Sequence, residues 1–358
     1  MTLDLTRDVV SLTADICDIE SVSGSEARLA DAVEAALRIL PQLHIERDGD
    51  AVLARTDLGR TQRVVLAGHL DTVPLARQPN LPTRRVVHDG IEHLVGRGTV
   101  DMKGGVAVML RLAAQVPEPT RDVTFVFYDN EEVDAARNGL GRIARSRPDW
   151  LQAELAVLLE PTAGIVEGGC KGTLRAEVRT TGVAAHSARP WMGHNAIHDA
   201  AEVLTRLTAY RARTVRIDDL DYPESLEAVL ITGGQATNVI PDSCVVTVNY
   251  RYAPDLDEAA AEAHVREVFA GFEVTVVDNV GGARPGLHLP AARELVATLG
   301  LPVQAKQGWT DVARFSRLGV PAVNFGPGDP VLAHRDDERA PVRQYLGVEA
   351  ALLRWLRG

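Results

Sequence analysis

Val123-Thr-Phe-Val-Phe-Tyr128 runs directly into Asp129-Asn-Glu-Glu132. A short apolar run of this kind reads as a strand buried in a sheet. It delivers two adjacent carboxylates to the point where the chain leaves the sheet. One can hold a metal ion while its neighbour works as a base. A Glu-Glu pair alone is more often a solvated helix start, so it gains weight only from its company.

Three other strand-like runs end in ligand-type residues. Arg63-Val-Val-Leu-Ala-Gly-His69-Leu-Asp71-Thr72 carries His69 and Asp71, which point the same way in an extended chain. Asp71 can therefore brace the surroundings of His69, the kind of support a metal-bound imidazole needs. Leu94-Val-Gly-Arg-Gly-Thr-Val-Asp101-Met-Lys-Gly-Gly105 sets Asp101 in a Gly-rich turn ahead of an apolar helix, Val106 to Gln115. Leu155-Ala-Val-Leu-Leu-Glu160-Pro161 ends a wholly apolar strand in Glu160. A lone carboxylate at a strand end usually faces water, but sites in open α/β sheets form at the carboxyl ends of strands. A late loop, Phe325-Gly-Pro-Gly-Asp-Pro-Val-Leu-Ala-His334-Arg-Asp-Asp-Glu338, adds a histidine. His69 and His334 with Asp101, Glu132 and Glu160 form an imidazole–carboxylate set that suits zinc, with manganese or cobalt as substitutes. Five ligands exceed the needs of one tetrahedral ion. Two ions bridged by one carboxylate would use them all and leave Glu131 as the general base.

The sequence resembles the M20 metallopeptidase and deacylase family. The matching motifs are Gly68-His-Leu-Asp-Thr-Val73, Gly96-Arg-Gly-Thr-Val-Asp-Met-Lys-Gly-Gly105, Asp129-Asn-Glu-Glu132, Leu159-Glu-Pro161 and Leu332-Ala-His334, and the likeness spans nearly the whole chain. The resemblance implies two zinc ions bridged by Asp101, one held by His69 and Glu160, the other by Glu132 and His334. It also implies Glu131 as the base, Asp71 as support for His69, and a cis peptide at Asp101-Met102.

A chain of 358 residues is long enough for two domains. Its 46% hydrophobic and 24% charged residues are ordinary for a globular protein. A net charge of −11 argues against non-specific nucleic-acid binding. Cys17, Cys170 and Cys244 show no paired spacing, which fits inert thiols in a reducing compartment. Met1-Thr-Leu-Asp-Leu-Thr-Arg-Asp8 has no basic start followed by an apolar run, and no run approaches membrane-span length. The expected setting is cytoplasmic, with no membrane or nucleic-acid partner.

Residues 7–20 and 25–40 read as helices, with Ser25 placed to cap the second. Strands near 51–55, 63–67, 123–128 and 155–159 alternate with helices near 104–115 and 138–146, an α/β order. The pattern then changes. Strands at 173–181, 226–232, 243–252 and 273–277 and helices at 194–211 and 256–272 give the order β-α-β-β-α-β of a ferredoxin-like unit. The α/β pattern resumes with a helix at 290–299 and strands near 302–305 and 321–325. We therefore expect a zinc-peptidase-like α/β catalytic domain with a mixed central sheet. It is built from 1–172 and 285–358 and interrupted by an inserted ferredoxin-like α+β dimerisation (lid) domain at 173–284. The resemblance implies that the insertion makes a homodimer.

The insertion and its flanks hold further candidates. Thr181-Gly-Val-Ala-Ala-His186-Ser187 matches a family histidine that enters the partner subunit's site to polarise the scissile carbonyl. Asn238, in Gly233-Gly-Gln-Ala-Thr-Asn238-Val-Ile-Pro241, and Arg251 at the end of the next strand can bind carboxylates. Lys171, Thr310 and Arg314 add polar groups. Such a set suits a multiply charged anionic acyl-amino acid. Ala185-His-Ser-Ala-Arg189, Thr237-Asn-Val-Ile-Pro-Asp242 and Gly308-Trp-Thr-Asp-Val-Ala-Arg-Phe315 look most like the family's desuccinylases from high-GC Gram-positive bacteria. That likeness implies hydrolysis of N-succinyl-LL-2,6-diaminopimelate, a step of diaminopimelate and lysine biosynthesis. Acetylornithine deacetylase or another deacylase or dipeptidase would use the same machinery. A catalytically silent acyl-amino-acid-binding protein is the alternative from another class.

Overall fold

The computed structural model describes residues 3–358. They form two compact units: Met1–Gly168 with Pro285–Gln304 and Arg314–Gly358, and Gly169–Arg284 with Ala305–Ala313. The segment 305–313, placed by sequence in the catalytic part, thus groups with the second unit.

The first unit is an eight-stranded mixed sheet with helices packed on it. From one edge the strands are His44–Asp48, Ala51–Arg55, Asp122–Tyr128, Arg63–His69, Leu155–Leu158, Ala322–Asn324, Val166–Gly168 and Val303–Ala305. The middle four run parallel, with Arg63–His69 between Asp122–Tyr128 and Leu155–Leu158. Asp122–Tyr128 and Leu155–Leu158 are buried at every residue, as strands covered on both faces must be. Parallel order sends all four carboxyl ends to one edge of the sheet. The chain leaves that edge at His69, at Asp129–Glu132, at Glu160 and into the loop that carries His334.

The helix Lys103–Gln115 follows the Asp101 turn and packs on this sheet. Gly105 permits that fit, because a Cβ there would lie 2.3 Å from the Leu159 carbonyl oxygen. The peptide bonds Asp101-Met102 and Leu81-Pro82 are cis. The helix Ala27–Arg38 lies where the sequence places it, but Ser25 does not cap it. The cap position is Glu26, which makes no side-chain capping bond. The C-terminal helix Val342–Arg357 buries Tyr345, Val348, Ala351, Leu352, Trp355 and Leu356 against the core.

The second unit is a four-stranded antiparallel sheet in the order Ser225–Gly233, Ser243–Tyr252, Gly172–Thr181, Glu273–Val280. Ser243–Tyr252 alternates strictly between buried and half-buried residues, one face on the core. The helices Ala196–Ala209 and Glu258–Val268 close that core around Val178, Val203, Val246, Val248 and Phe269. A small hairpin, Thr214–Ile217 with Leu220–Pro223, was not expected from the sequence.

Candidate metal centre

His69 ends its strand 1% exposed, and its Nε2 lies 3.1 Å from Asp101 Oδ1. Its Nδ1 bonds the main-chain oxygen of Asp71 at 2.9 Å, which fixes the ring and leaves Nε2 toward the cluster. His334 Nε2 lies 2.9 Å from Glu132 Oε1 and 3.4 Å from Asp101 Oδ2. Asp101 therefore stands between two imidazoles. His69, Asp101 and Glu132 can each bring a ligand atom within 4.8 Å of the other two. Glu160 is buried at the end of its strand on the same sheet edge. The group mixes imidazole and carboxylate donors, which fits zinc chemistry.

The electrostatics reflect an excess of carboxylates. Burial pushes the Asp101 carboxyl up, but hydrogen bonds and charge from His334 and His69 outweigh it and hold the group well below the usual range. Burial pulls the His69 imidazole down, while the Asp101 hydrogen bond and the charges of Asp71, Asp101 and Glu131 raise it well above its ordinary value. Hydrogen bonds to Asp101 and Glu132 push His334 up to about 10. Burial, then the charge of Asp101, raises Glu132. A cation among these oxygens would displace the imidazole protons.

Asp71 is wholly buried, and its carboxylate is directed largely elsewhere than expected. Oδ1 accepts the Glu131 N–H at 2.9 Å, and Oδ2 accepts the Glu132 N–H at 3.0 Å and the Ser23 hydroxyl at 2.7 Å. Oδ1 lies 3.6 Å from His69 Nδ1, whose close partner is the main-chain oxygen. Asp71 thus supports His69 through its backbone and the loop of Glu131 through its side chain.

Glu338 has a comparable place that sequence reasoning missed. Buried to 1%, its Oε1 accepts the N–H groups of Val100 and Asp101 at 2.9 and 3.2 Å. Its Oε2 accepts Arg97 Nη1 at 2.7 Å, and Arg97 also donates to the Arg335 carbonyl oxygen at 3.3 Å. These bonds tie the Asp101 turn to the loop after His334. Only its nearness in sequence to His334 hinted at this.

Arg314 lies within the first unit, its Nη1 2.7 Å from where a Cβ on Gly141 would sit, so its guanidinium rests against the helix Gly139–Ser146. The other candidates belong to the second unit. His186 sits in a two-residue strand paired with Val239–Ile240, beside Asn238. Its Nδ1 accepts the Ala188 N–H at 3.0 Å, so the neutral ring keeps its proton on Nε2. Lys171 Nζ donates to the Pro223 carbonyl oxygen at 2.9 Å. Burial lowers the Lys171 pKa, and the charge of Arg251 lowers it further. Burial lowers that of Arg251, against the pull of Asp278. Thr310 is buried, and its main-chain oxygen accepts from Cys170 Sγ at 3.7 Å. All three cysteines are free and buried. Among the described residues, no helix is long and apolar enough to cross a membrane.

Comparison with known proteins agrees with this geometry. Residues 65–357 match the model of peptidase family M20/M25/M40. A Mycobacterium tuberculosis protein provisionally named succinyl-diaminopimelate desuccinylase is 56% identical over 99% of this chain and 100% of its own. The succinyl-diaminopimelate desuccinylase of Corynebacterium glutamicum is 46% identical over 99% of this chain and 97% of its own. A Staphylococcus aureus tripeptidase shares the fold, with a TM-score of 0.79 at 20% identity over 100% of this chain and 99% of that one. So does a Bacillus subtilis dinuclear metal-binding peptidase, with a TM-score of 0.66 at 18% identity over 98% of this chain and 99% of that one. The chain belongs to peptidase family M20/M25/M40.

Proposed function

We propose that this protein is a di-zinc amidohydrolase that cleaves N-succinyl-LL-2,6-diaminopimelate to succinate and LL-2,6-diaminopimelate. The observation that carries the reading is the convergence of His69, Asp101 and Glu132 donor atoms within 4.8 Å at the carboxyl edge of the sheet. The desuccinylase relatives, at 56% and 46% identity over nearly the full chain, support the substrate.

Asp101 would bridge the two ions, His69 and Glu160 would hold one, and Glu132 and His334 the other. Cobalt or manganese could substitute. The chemistry that bound zinc supplies is polarisation of the amide carbonyl and acidification of a water. Glu131 accepts the proton of the attacking water and returns it to the leaving amine. His186 of a partner subunit donates its Nε2–H to the developing oxyanion. Asn238, Arg251, Lys171, Thr310 and Arg314 are the proposed substrate contacts. Burial and the charge of Arg251 lower Lys171, and burial lowers Arg251, an arrangement that an anionic carboxylate relieves. A homodimer through the second unit is supported by its edge strand, Ser225–Gly233, which exposes Val229, Leu230 and Ile231. The reaction belongs to the cytoplasm.

The test is a substrate panel with zinc saturating. N-succinyl-LL-diaminopimelate should exceed N-acetylornithine in kcat/KM by at least ~10²-fold, the scale of a lost charged hydrogen-bond pair. Arg251→Ala should weaken the succinyl substrate far more than a neutral acyl one. Preference for acetylornithine, or an equal loss on both substrates, would leave only a broader metal-dependent amidohydrolase.

A further inference from the structure

Glu26 is a carboxyl group 0% exposed, and nothing in the reaction above uses it. It precedes the helix Ala27–Arg38 but makes no capping bond to it. Its Oε1 instead accepts the Asn130 N–H at 3.1 Å, across 104 residues of sequence, together with the Gly24 N–H at 2.9 Å. Its Oε2 is buried with no hydrogen-bond partner among the described residues. Burying a half-satisfied carboxylate is costly, and a neutral residue would serve the helix start equally well. What Glu26 supplies at this place is an acceptor for the loop that carries Glu131.

The loop needs one. Asn130 is left-handed, with φ 56°, so the chain turns out of the sheet and the N–H groups that follow have no strand partner. Three consecutive ones are met by carboxylates from elsewhere. Asn130 N–H goes to Glu26, Glu131 N–H to Asp71 Oδ1 and Glu132 N–H to Asp71 Oδ2. The Asn130 side chain is held as well, its Nδ2 donating to Asp129 Oδ2 at 2.8 Å and its Oδ1 accepting from Arg137 at 2.9 Å. Asp71 takes the N–H of the Asn130–Glu131 peptide and of the one after it, and Glu26 takes the N–H of the one before it.

We propose that Glu26 is a positioning residue for this loop, holding the Asn130 N–H so that Glu131 is aimed at the scissile amide. The inference rests on the reading of Glu131 as the base. The metal ligand of this loop, Glu132, keeps its own anchors, its N–H on Asp71 Oδ2 and its Oε1 beside His334 Nε2, so loss of Glu26 acts on turnover more than on metal content.

The experiment compares zinc-loaded, full-length wild type with Glu26→Met and Glu26→Gln. Met keeps the volume and removes the acceptor, whereas Gln keeps an oxygen for the Asn130 N–H. For each, kcat, KM, bound zinc and amide hydrogen exchange over residues 129–133 are measured. Glu26→Met should lower kcat by at least ~10-fold, the scale of a small misplacement of a reacting group, and speed exchange at 130–132. Its KM and bound zinc should stay within about twofold of wild type. Glu26→Gln should restore both turnover and protection. Wild-type kcat and protection in Glu26→Met, or a Gln variant as impaired as Met, would overturn the proposal. A wild type that cleaves no acyl-amino acid would instead sink the enzymatic reading, while the exchange data would still decide whether Glu26 holds the loop.

Discussion

Asp101 in the first unit and Glu224 in the second are both carboxylates withdrawn from solvent, and they are satisfied in opposite ways. Glu224 is complete within its own unit. Its side chain, 0% exposed, accepts Arg213 Nη2 at 2.6 Å and Nε at 3.0 Å, the Tyr250 hydroxyl at 2.9 Å and the Ala253 N–H at 3.0 Å. Asp101 has two imidazoles beside it and further carboxylates around those. The first arrangement neutralises its charge with donors the protein already owns. The second gathers more negative charge than its own cations balance, which is stable at neutral pH when a cation joins it. The difference separates a carboxylate that holds the fold from one proposed to hold a metal.

The sharpest break in this comparison lies between ligand and base inside the first unit. If Glu131 is the base and not a ligand, as proposed, Glu131→Gln should cut turnover by more than the ~10²-fold low end for a general base, yet leave the bound zinc of wild type. Near-normal turnover would show that proton transfer runs through another group. Asp101→Asn should do the reverse in order of cause. Zinc affinity should fall by more than the ~10–100-fold typical for a residue that only supports a ligand, with activity following the lost metal. Calorimetric titration of zinc into the metal-free variant measures this. Unchanged affinity would remove Asp101 from the ligand set.

The same contrast explains what the sequence could disclose. Ligand-type residues at the ends of apolar strands are legible, because the strand is declared by its hydrophobicity and the polar residue by its break. Ser243–Tyr252 is legible to the residue, since its alternation matches one buried face. Glu26 and Glu338 are not legible. Each acts on backbone N–H groups distant in sequence, and no spacing marks a carboxylate as an acceptor for a loop it has yet to meet. The hairpin Thr214–Pro223 turns at Asp218-Asp219, both left-handed, without the glycine that usually announces such a turn. Asp89-Gly90 does announce the hairpin of Arg84–His88 with Ile91–Val95, but Arg84, Arg85 and His88 make the strand Arg84–His88 too polar and exposed for alternation to declare it. In Val342–Arg357 the helical spacing is present, with Gly347 and the arginines at 343, 354 and 357 diluting it.

The smallest effect belongs to Glu224, and its pH dependence makes it decisive. Burial alone would raise this carboxyl, but Arg213, the Ala253 N–H and Tyr250 lower it below its ordinary 4.5. A group lowered by folding contributes stability that is fully present above its unfolded pKa. Below that value the unfolded chain takes up the proton first, so stability falls until the folded carboxylate is protonated too. Glu224→Ala should cost about 1–3 kcal/mol of unfolding free energy near neutral pH, the range for stranding buried donors, without changing zinc content. Glu224→Gln removes the titration and keeps the shape. The stability gap between wild type and Glu224→Gln should therefore be flat from about pH 7 to 5 and shrink as pH drops through about 4.5. Denaturant unfolding at a series of pH values, with metal removed, isolates this term from the zinc ligands. A gap that stays constant down to roughly pH 3 would mean that the Glu224 charge adds nothing its shape does not. The balanced carboxylate of the second unit would then be a packing group, and the contrast with Asp101 would rest on the metal alone.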